Sequence, residues 1–286
     1  MPKLKLGLVG LGNWGKRHYD IWKRHADIEV KAIYDPKFSN STPSLDSLIE
    51  KVDVVDVVVP AESLADVASK AILAGRHTFI EKPMASSLQE ARKIEAVARE
   101  TPDVIVMVGF IERFNPVFRK IHFVIRTLKK PLRIFCQRSG TPTLVAQKTG
   151  VLKDLAIHDV DLLRWMLGEP RRTVIRSMER FHFGQLELKF NSGIEAMIIS
   201  DCLGPKVRRW VLQFEDKVVY AFFEDNRWRL FVDNAEIPIA WKPPLEKELN
   251  SFISSVKHNV HPAPSIQDGV KALETIEEAV EFKTIL

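Results

Sequence analysis

The sequence predicts an α/β fold in two parts: an N-terminal doubly wound parallel sheet over residues 1–115, and a C-terminal α+β domain over residues 116–286 built on a large, mostly antiparallel open sheet. Three observations carry this expectation. An apolar run at residues 5–9 feeds straight into glycines at 10, 12 and 15. Strand-like and helix-like stretches then alternate as far as residue 108, which is the pattern of a parallel sheet with crossover helices. From residue 172 to 240 the helical period disappears, and alternating strands are split by Asn191-Ser192-Gly193, Glu215-Asp216, Asp225-Asn226 and Asp233-Asn234.

Taken in order, the first strand leads into a helix at residues 13–24, and a second strand, residues 30–34, ends at Asp35. Turn residues follow, with only residues 45–50 offering a short helix before the strand at 54–59, so this crossover is abbreviated. Residues 62–74 are amphipathic and stop at Gly75, a helix C-cap signal, before a fourth strand that runs into Glu81-Lys82-Pro83. Ser87 and Glu90 form a capping box for a helix to about residue 99, and residues 104–108 make the fifth strand. Beyond Gly109 come a helix at 116–128, a strand at 133–138, a loop, and one long helix at 151–167 stopped by Gly168. Helices at 245–260 and 266–282 close the chain, the second opened by Ser265 with Asp268, and both are expected on one side of the second sheet. Phe183, Leu186, Leu188, Ile194, Ala196, Ile198, Trp210 and Leu212 are expected to supply apolar surface to both faces of that sheet. A sheet apolar on both faces needs a second cover, which predicts a homodimer or homotetramer formed through it.

Composition narrows the function classes. At 286 residues the chain is long enough for two modest cores, and 45% of it is apolar, with no run near the roughly 20 residues of a membrane span. Met-Pro-Lys leads directly into the first strand without a secretory apolar region, so a cytoplasmic chain with no membrane partner is expected. Cys136 and Cys202 have neither metal spacing nor a disulfide framework. The net charge of +5 is spread over short basic groups such as Arg171-Arg172 and residues 206–209, read as solvated faces, and no nucleic-acid motif accompanies them.

Four stretches carry chemistry. Gly10-x-Gly12-x-x-Gly15 after a strand is the dinucleotide-binding fingerprint of a Rossmann sheet: Gly10 for the tight turn, Gly12 for approach of backbone to a pyrophosphate, Gly15 for helix packing. Asp35, about 20 residues on, stands where the fingerprint expects an acid for the adenosine ribose, and it favours NAD while leaving NADP possible. Lys82 ends the fourth strand, where ligands of open parallel sheets bind, although Glu-Lys-Pro would equally make a surface turn. Asp154, His158 and Asp161 are spaced four and three apart, so on one helix they share a face, and a carboxylate beside an imidazole suits a general base. A solvated polar stripe is the alternative, and no third soft ligand nearby favours a metal. Arg113 and Asn115, in the stretch from Gly109 to Pro116, read either as substrate donors or as residues fixing the turn between the domains.

With these residues in place the sequence resembles the glucose-fructose oxidoreductase / inositol dehydrogenase / rhizopine catabolism (Gfo/Idh/MocA) family over nearly its whole length. The order and spacing of the glycine turn, Glu81-Lys82-Pro83, the stretch from Gly109 to Pro116, and Gly150 through Asp154, His158, Asp161 and Gly168 carry the resemblance. It implies NAD(P)-dependent oxidation of a sugar, nucleotide-sugar or polyol hydroxyl, with Lys82, Asp154 and His158 matching the catalytic trio. It further implies cofactor contacts from Gly10, Gly12, Asn13, Trp14, Gly15, Asp35, Pro60, Glu81 and Lys82, and substrate contacts from Lys82, Arg113, Asn115, Asp154 and His158. Residues 111–116 are most similar to the UDP-N-acetylglucosamine 3-dehydrogenase type. Leu64 stands where many members have histidine, and the segment after Asp35 is shorter than usual, both on the cofactor side. A cofactor-binding sensor without turnover is the competing class, which has no need of a positioned base.

Overall fold

In the computed structural model, which describes residues 2–127, 130–141, 144–179 and 181–281, the apolar run after Lys3 forms β1 (Leu4–Val9), an interior strand of a five-stranded parallel sheet. Its neighbours are β2 (Ile28–Tyr34), β3 (Val54–Val57), β4 (His77–Glu81) and β5 (Val106–Gly109), in the order β2-β1-β3-β4-β5. Strands buried on both faces read as continuous apolar runs, and Val54, Val55 and Val57 have no exposed surface. The crossovers are α1 (Asn13–Trp22), α2 (Leu45–Ile49), α3 (Ala61–Leu73) and α4 (Leu88–Glu100). At five residues α2 is the abbreviated crossover that the turn-rich segment before it predicts. The capping box of α4 is split between two serines: Glu90 N–H donates to Ser87 Oγ at 3.3 Å, while Glu90 Oε2 accepts from Ser86 N–H and Oγ–H at 3.0 and 2.6 Å.

The chain forms two compact units, Met1–Phe110 with Leu245–Val270, and Ile111–Pro244 with Lys271–Leu286. The first unit is therefore discontinuous, unlike the division 1–115 and 116–286. Helix α8 (Pro244–His258), expected beside the second sheet, packs instead in the first unit. Its buried stripe of Leu245, Leu249, Phe252 and Ile253 puts Phe252 5.6 Å from Phe79, and Lys257 pairs with Asp27 at 2.9 Å. An amphipathic pattern reveals that a helix has a buried face but not which sheet will bury it.

The second unit holds α5 (Pro116–Thr127), β6 (Arg133–Ser139), α6 (Leu144–Thr149) in the expected loop, and α7 (Ile157–Leu167). Leu128, the expected end of α5, lies outside the described residues. Strands β7 (Pro170–Glu179), β8 (Phe183–Phe190), β9 (Glu195–Asp201), β10 (Val207–Gln213), β11 (Val218–Glu224), β12 (Arg227–Val232) and β13 (Ala235–Ile237) follow. The closing helix α9 (Ile266–Glu277) stops short of the expected span and is followed by β14 (Val280–Glu281); Phe282 lies outside the described residues. Sheet order is β13-β12-β11-β10-β6-β9-β8-β7-β14, antiparallel except at β6–β9 and β7–β14.

Register corrects the expectation about the sheet's two faces. Leu186, Ile198, Cys136 and Trp210 are cross-strand neighbours in one row, and Leu188, Ala196, Ile134 and Leu212 in the next. All are buried on a single face, where Phe118 of α5 packs edge-on against Trp210 at 5.1 Å. Side chains alternate along a strand, so the outward face is made by Phe135, Met197, Ile199, Val211, Tyr220, Phe222 and Phe231, half-buried within the chain. Tyr220 and Phe222 stack on Phe231 at 5.3 and 5.2 Å. The outer face is apolar after all, and of the residues expected to supply both faces Phe183 joins these others there.

Candidate active site

In the first unit the nucleotide set gathers at the carboxyl ends of β1 to β4. Strand order reverses between β1 and β3, and ligands of open parallel sheets bind at such a switch point. Gly10 has φ +95°, and a Cβ there would stand 2.3 Å from the Val58 carbonyl oxygen; one at Gly15 would stand 2.1 Å from the Gly10 carbonyl oxygen. These two glycines are required by backbone closeness. Gly12, by contrast, opens on free space, with nothing within 4 Å of its would-be Cβ, which is the clearance a pyrophosphate needs. The residues present fit the cofactor.

Asp35, at the end of β2, does more than stand at a ribose position. Its Oδ2 accepts the Leu11 N–H at 2.7 Å and its Oδ1 the Lys37 N–H at 2.8 Å, so it pins the glycine turn from the neighbouring strand. Pro60 is exposed at the N-cap of α3, and exposed Asn13 opens α1. Glu81 is the last residue of β4, and its Oε1 accepts the Trp14 indole N–H at 2.8 Å, tying β4 to the first turn of α1. Its Oε2 accepts the N–H of Lys82, itself half-buried at the strand end. Leu64 is buried in α3, so its place is taken by core packing.

Beneath this edge lies a charge cluster that the sequence reading missed. His18 Nδ1 is 2.9 Å from Asp56 Oδ2, which also accepts the Trp22 indole N–H at 2.6 Å. His18 Nε2 is 3.3 Å from Glu81 Oε1, an ion-pair distance out of line for a hydrogen bond. Burial alone would lower the imidazole pKa, but Asp56 and then Glu81 outweigh it and raise it to about 10.

In the second unit the expected helix runs unbroken over residues 151–167, with a π-turn, Leu152–Ala156, leading into α7. Such turns insert a residue into the helical period and frequently mark functional sites. Buried Asp154 lies in the π-turn and half-buried His158 opens α7, while buried Asp161 accepts Arg113 bidentately, Nε at 2.8 Å and Nη2 at 2.6 Å. Arg113 is buried, and Asn115 is an N-cap of α5, donating to Glu112 Oε2 at 2.9 Å and accepting the Val117 N–H at 3.1 Å. Glu112 also takes Arg138 at 3.0 Å, and Arg138 forks onto both oxygens of Asp159, which accepts the Trp210 indole N–H at 2.8 Å. Asp159 and Glu112 raise the Arg138 pKa against its burial, and burial followed by the Asp159 charge pushes the Cys136 thiol well up.

Residues 4–110 match the family described as an oxidoreductase family with an NAD-binding Rossmann fold. Inositol 2-dehydrogenase of Rhizobium meliloti is 24% identical over 97% of this chain and 96% of its own. Over residues 4–110 the chain carries the NAD-binding Rossmann fold of the Gfo/Idh/MocA oxidoreductases. UDP-N-acetylglucosamine 3-dehydrogenase from Acidithiobacillus ferrooxidans superposes on this chain with a TM-score of 0.86, at 21% identity, covering 98% of each chain. A 3-ketoreductase from Actinomadura kijaniata, solved with NADP, gives 0.82 at 18% identity, over 98% of this chain and 100% of that one. The chain is an NAD(P)-dependent oxidoreductase. Among the described residues no helix is long and apolar enough to cross a membrane.

The signal that would have found His18 is in α1: Trp14, His18 and Trp22 recur every four residues on its inward face, each carrying an N–H donor into the sheet. A buried stripe of donors requires buried acceptors, and Asp56 in a run of valines is the one interruption in β3.

Proposed function

We propose that this protein oxidises a secondary hydroxyl of a sugar, nucleotide sugar or polyol. The single observation that carries the reading is the Trp14–Glu81 bond, which holds the residue before Lys82 against the first turn of α1, beside the open space at Gly12. Gly10, Gly12, Gly15 and Asp35 would hold the dinucleotide, whose nicotinamide would supply the acceptor for the carbinol hydrogen and its electron pair. The chain's own residues handle the proton. His158 accepts it from the hydroxyl, Asp154 holds the ring or a neighbouring hydroxyl, and Lys82 stabilises the developing alkoxide. Arg113 and Asn115 position the start of α5 through their internal bonds. Screening inositols, free aldoses and UDP-linked N-acetylhexosamines for NADH absorbance tests this; failure of every class with both nucleotides would sink it. Lys82 and His158 exchange roles in the rival assignment. In kcat against pH, His158→Ala should abolish the basic group's limb, and if only Lys82→Ala does so the assignment reverses.

NAD is the preferred cofactor on this reading, since Asp35 bonds a ribose hydroxyl but repels a 2′-phosphate; two like charges about 4 Å apart at an effective dielectric of about 20 repel by roughly 4 kcal/mol, an upper figure for a half-exposed site. The outward face of the nine-stranded sheet joins copies of the chain as a dimer or tetramer, supported by Val211, Phe135 and Met197 standing in cross-strand register with Ile199 two residues on along β9. Ile199→Glu should release monomers in analytical ultracentrifugation, and a monomeric wild type would contradict the assembly.

A further inference from the structure

We propose that His18 is the positioning residue of the nucleotide edge: as an imidazolium bridging Asp56 and Glu81, it fixes the Glu81 carboxylate that holds the Trp14 indole and the Lys82 main chain. This rests on reading the glycine turn as the NAD(P) site. The bridge joins three elements, with His18 from α1, Asp56 from β3 and Glu81 from β4. Its geometry selects the charged ring. A neutral imidazole has one N–H, so one of its nitrogens would present a lone pair to a carboxylate, whereas His18 has carboxylate oxygens at 2.9 Å from Nδ1 and 3.3 Å from Nε2. The ring has no exposed surface and is flanked edge-on by Trp14 at 6.0 Å and Phe79 at 5.8 Å. The charged groups facing it are Asp56 and Glu81, the polar ones the Trp14 and Trp22 indoles.

Glu81 is the piece that reaches the surface. One carboxylate receives the indole of Trp14, the N–H of Lys82 and the charge of His18. Gly109 on β5 makes room for it, since a Cβ there would press on Glu81 Oε1 at 3.0 Å. Without the cation, Asp56 and Glu81 would be two like charges buried on adjacent strands, and Glu81 would be driven off Trp14 and Lys82. Because the ring is sealed, its role is to hold, and no proton need travel through it.

Two readouts in the cofactor-free protein test this directly. Long-range proton–nitrogen NMR should find both His18 ring nitrogens protonated from about pH 7 to about pH 9, where a free histidine is neutral. In His18→Gln the Trp14 indole N–H resonance should move, and NADH affinity by calorimetry should fall about tenfold, the size of one lost charge-assisted hydrogen bond. A purely structural histidine would lower the melting temperature and leave both unchanged in the folded protein. Should His18→Gln not fold, Trp14→Phe decides: at this half-buried position it keeps an aromatic ring while removing the N–H together with the second ring of the indole, and NADH should again bind more weakly with His18 still charged. A neutral His18 at pH 7, a Trp14 resonance indifferent to His18→Gln, or full NADH affinity in Trp14→Phe overturns the inference. Wild-type protein that binds neither NADH nor NADPH overturns the nucleotide reading itself, while the two resonances still report whether the bridge exists.

Discussion

Each unit buries a cluster of ionic side chains, and the two clusters are built on opposite principles. In the first unit Asp56, His18 and Glu81 share one titratable cation, and the last carboxylate reaches the nucleotide edge through Trp14 and Lys82. In the second unit Glu112, Asp159 and Asp161 are matched by Arg138 and Arg113, whose guanidinium forks cannot lose their charge, and Trp210 and Asn115 donate to the carboxylates. Both clusters bring distant chain segments together. The arginine cluster ties α5, α7, β6 and β10 together, whereas the histidine cluster runs through Glu81 to Trp14 and the Lys82 main chain at the carboxyl end of β4.

Breaking the arginine cluster should have the larger effect on stability. Arg138→Ala leaves Glu112 and Asp159 buried without their cation, and a loss of about 3–5 kcal/mol is expected in denaturant unfolding of the second unit. A loss below about 1 kcal/mol would mean that water or another cation replaces the guanidinium.

The comparison sharpens with pH. A raised folded-state pKa means that the stabilisation from His18 is complete below the unfolded value near 6.5, then declines as pH rises, and is gone above about 10. Melting of the first unit should therefore fall progressively across that window, while the arginine cluster of the second contributes no such slope. His18→Gln should flatten the first unit's profile; a wild-type profile already flat from pH 7 to about pH 9 would refute the charged ring.

A smaller effect is expected at the rim. Asp35→Asn keeps an oxygen to accept the Leu11 N–H but removes the charge, so the preference for NADH over NADPH should shrink by about tenfold or more in calorimetric titrations. An unaltered ratio would show that Asp35 acts only as a pin for the turn.

Much of the first unit was legible because its signals are local. Gly10, Gly12 and Gly15 show themselves by their spacing in one short stretch after a strand, and the α2 crossover announces its brevity through turn residues. What stayed hidden depends on partners far along the chain. His18 meets Asp56 across 38 residues, and Arg138 meets Asp159 across 21. The period of α8 gives its apolar stripe but not the sheet that receives it. The π-turn before His158 spans only five residues, too few for its period to be told from that of an α-helix. Leu186, Ile198, Trp210 and Leu212 looked divisible between two faces until register placed them on one.

The central claim is that the second unit supplies the base while the first holds the nucleotide. Steady-state turnover of His158→Ala on the substrate found by screening, paired with calorimetry of NADH binding to the same variant, tests it most directly. A fall in kcat of about 10²- to 10⁴-fold with NADH affinity unchanged is the predicted result. Wild-type turnover in that variant, or loss of NADH binding in step with turnover, would contradict it.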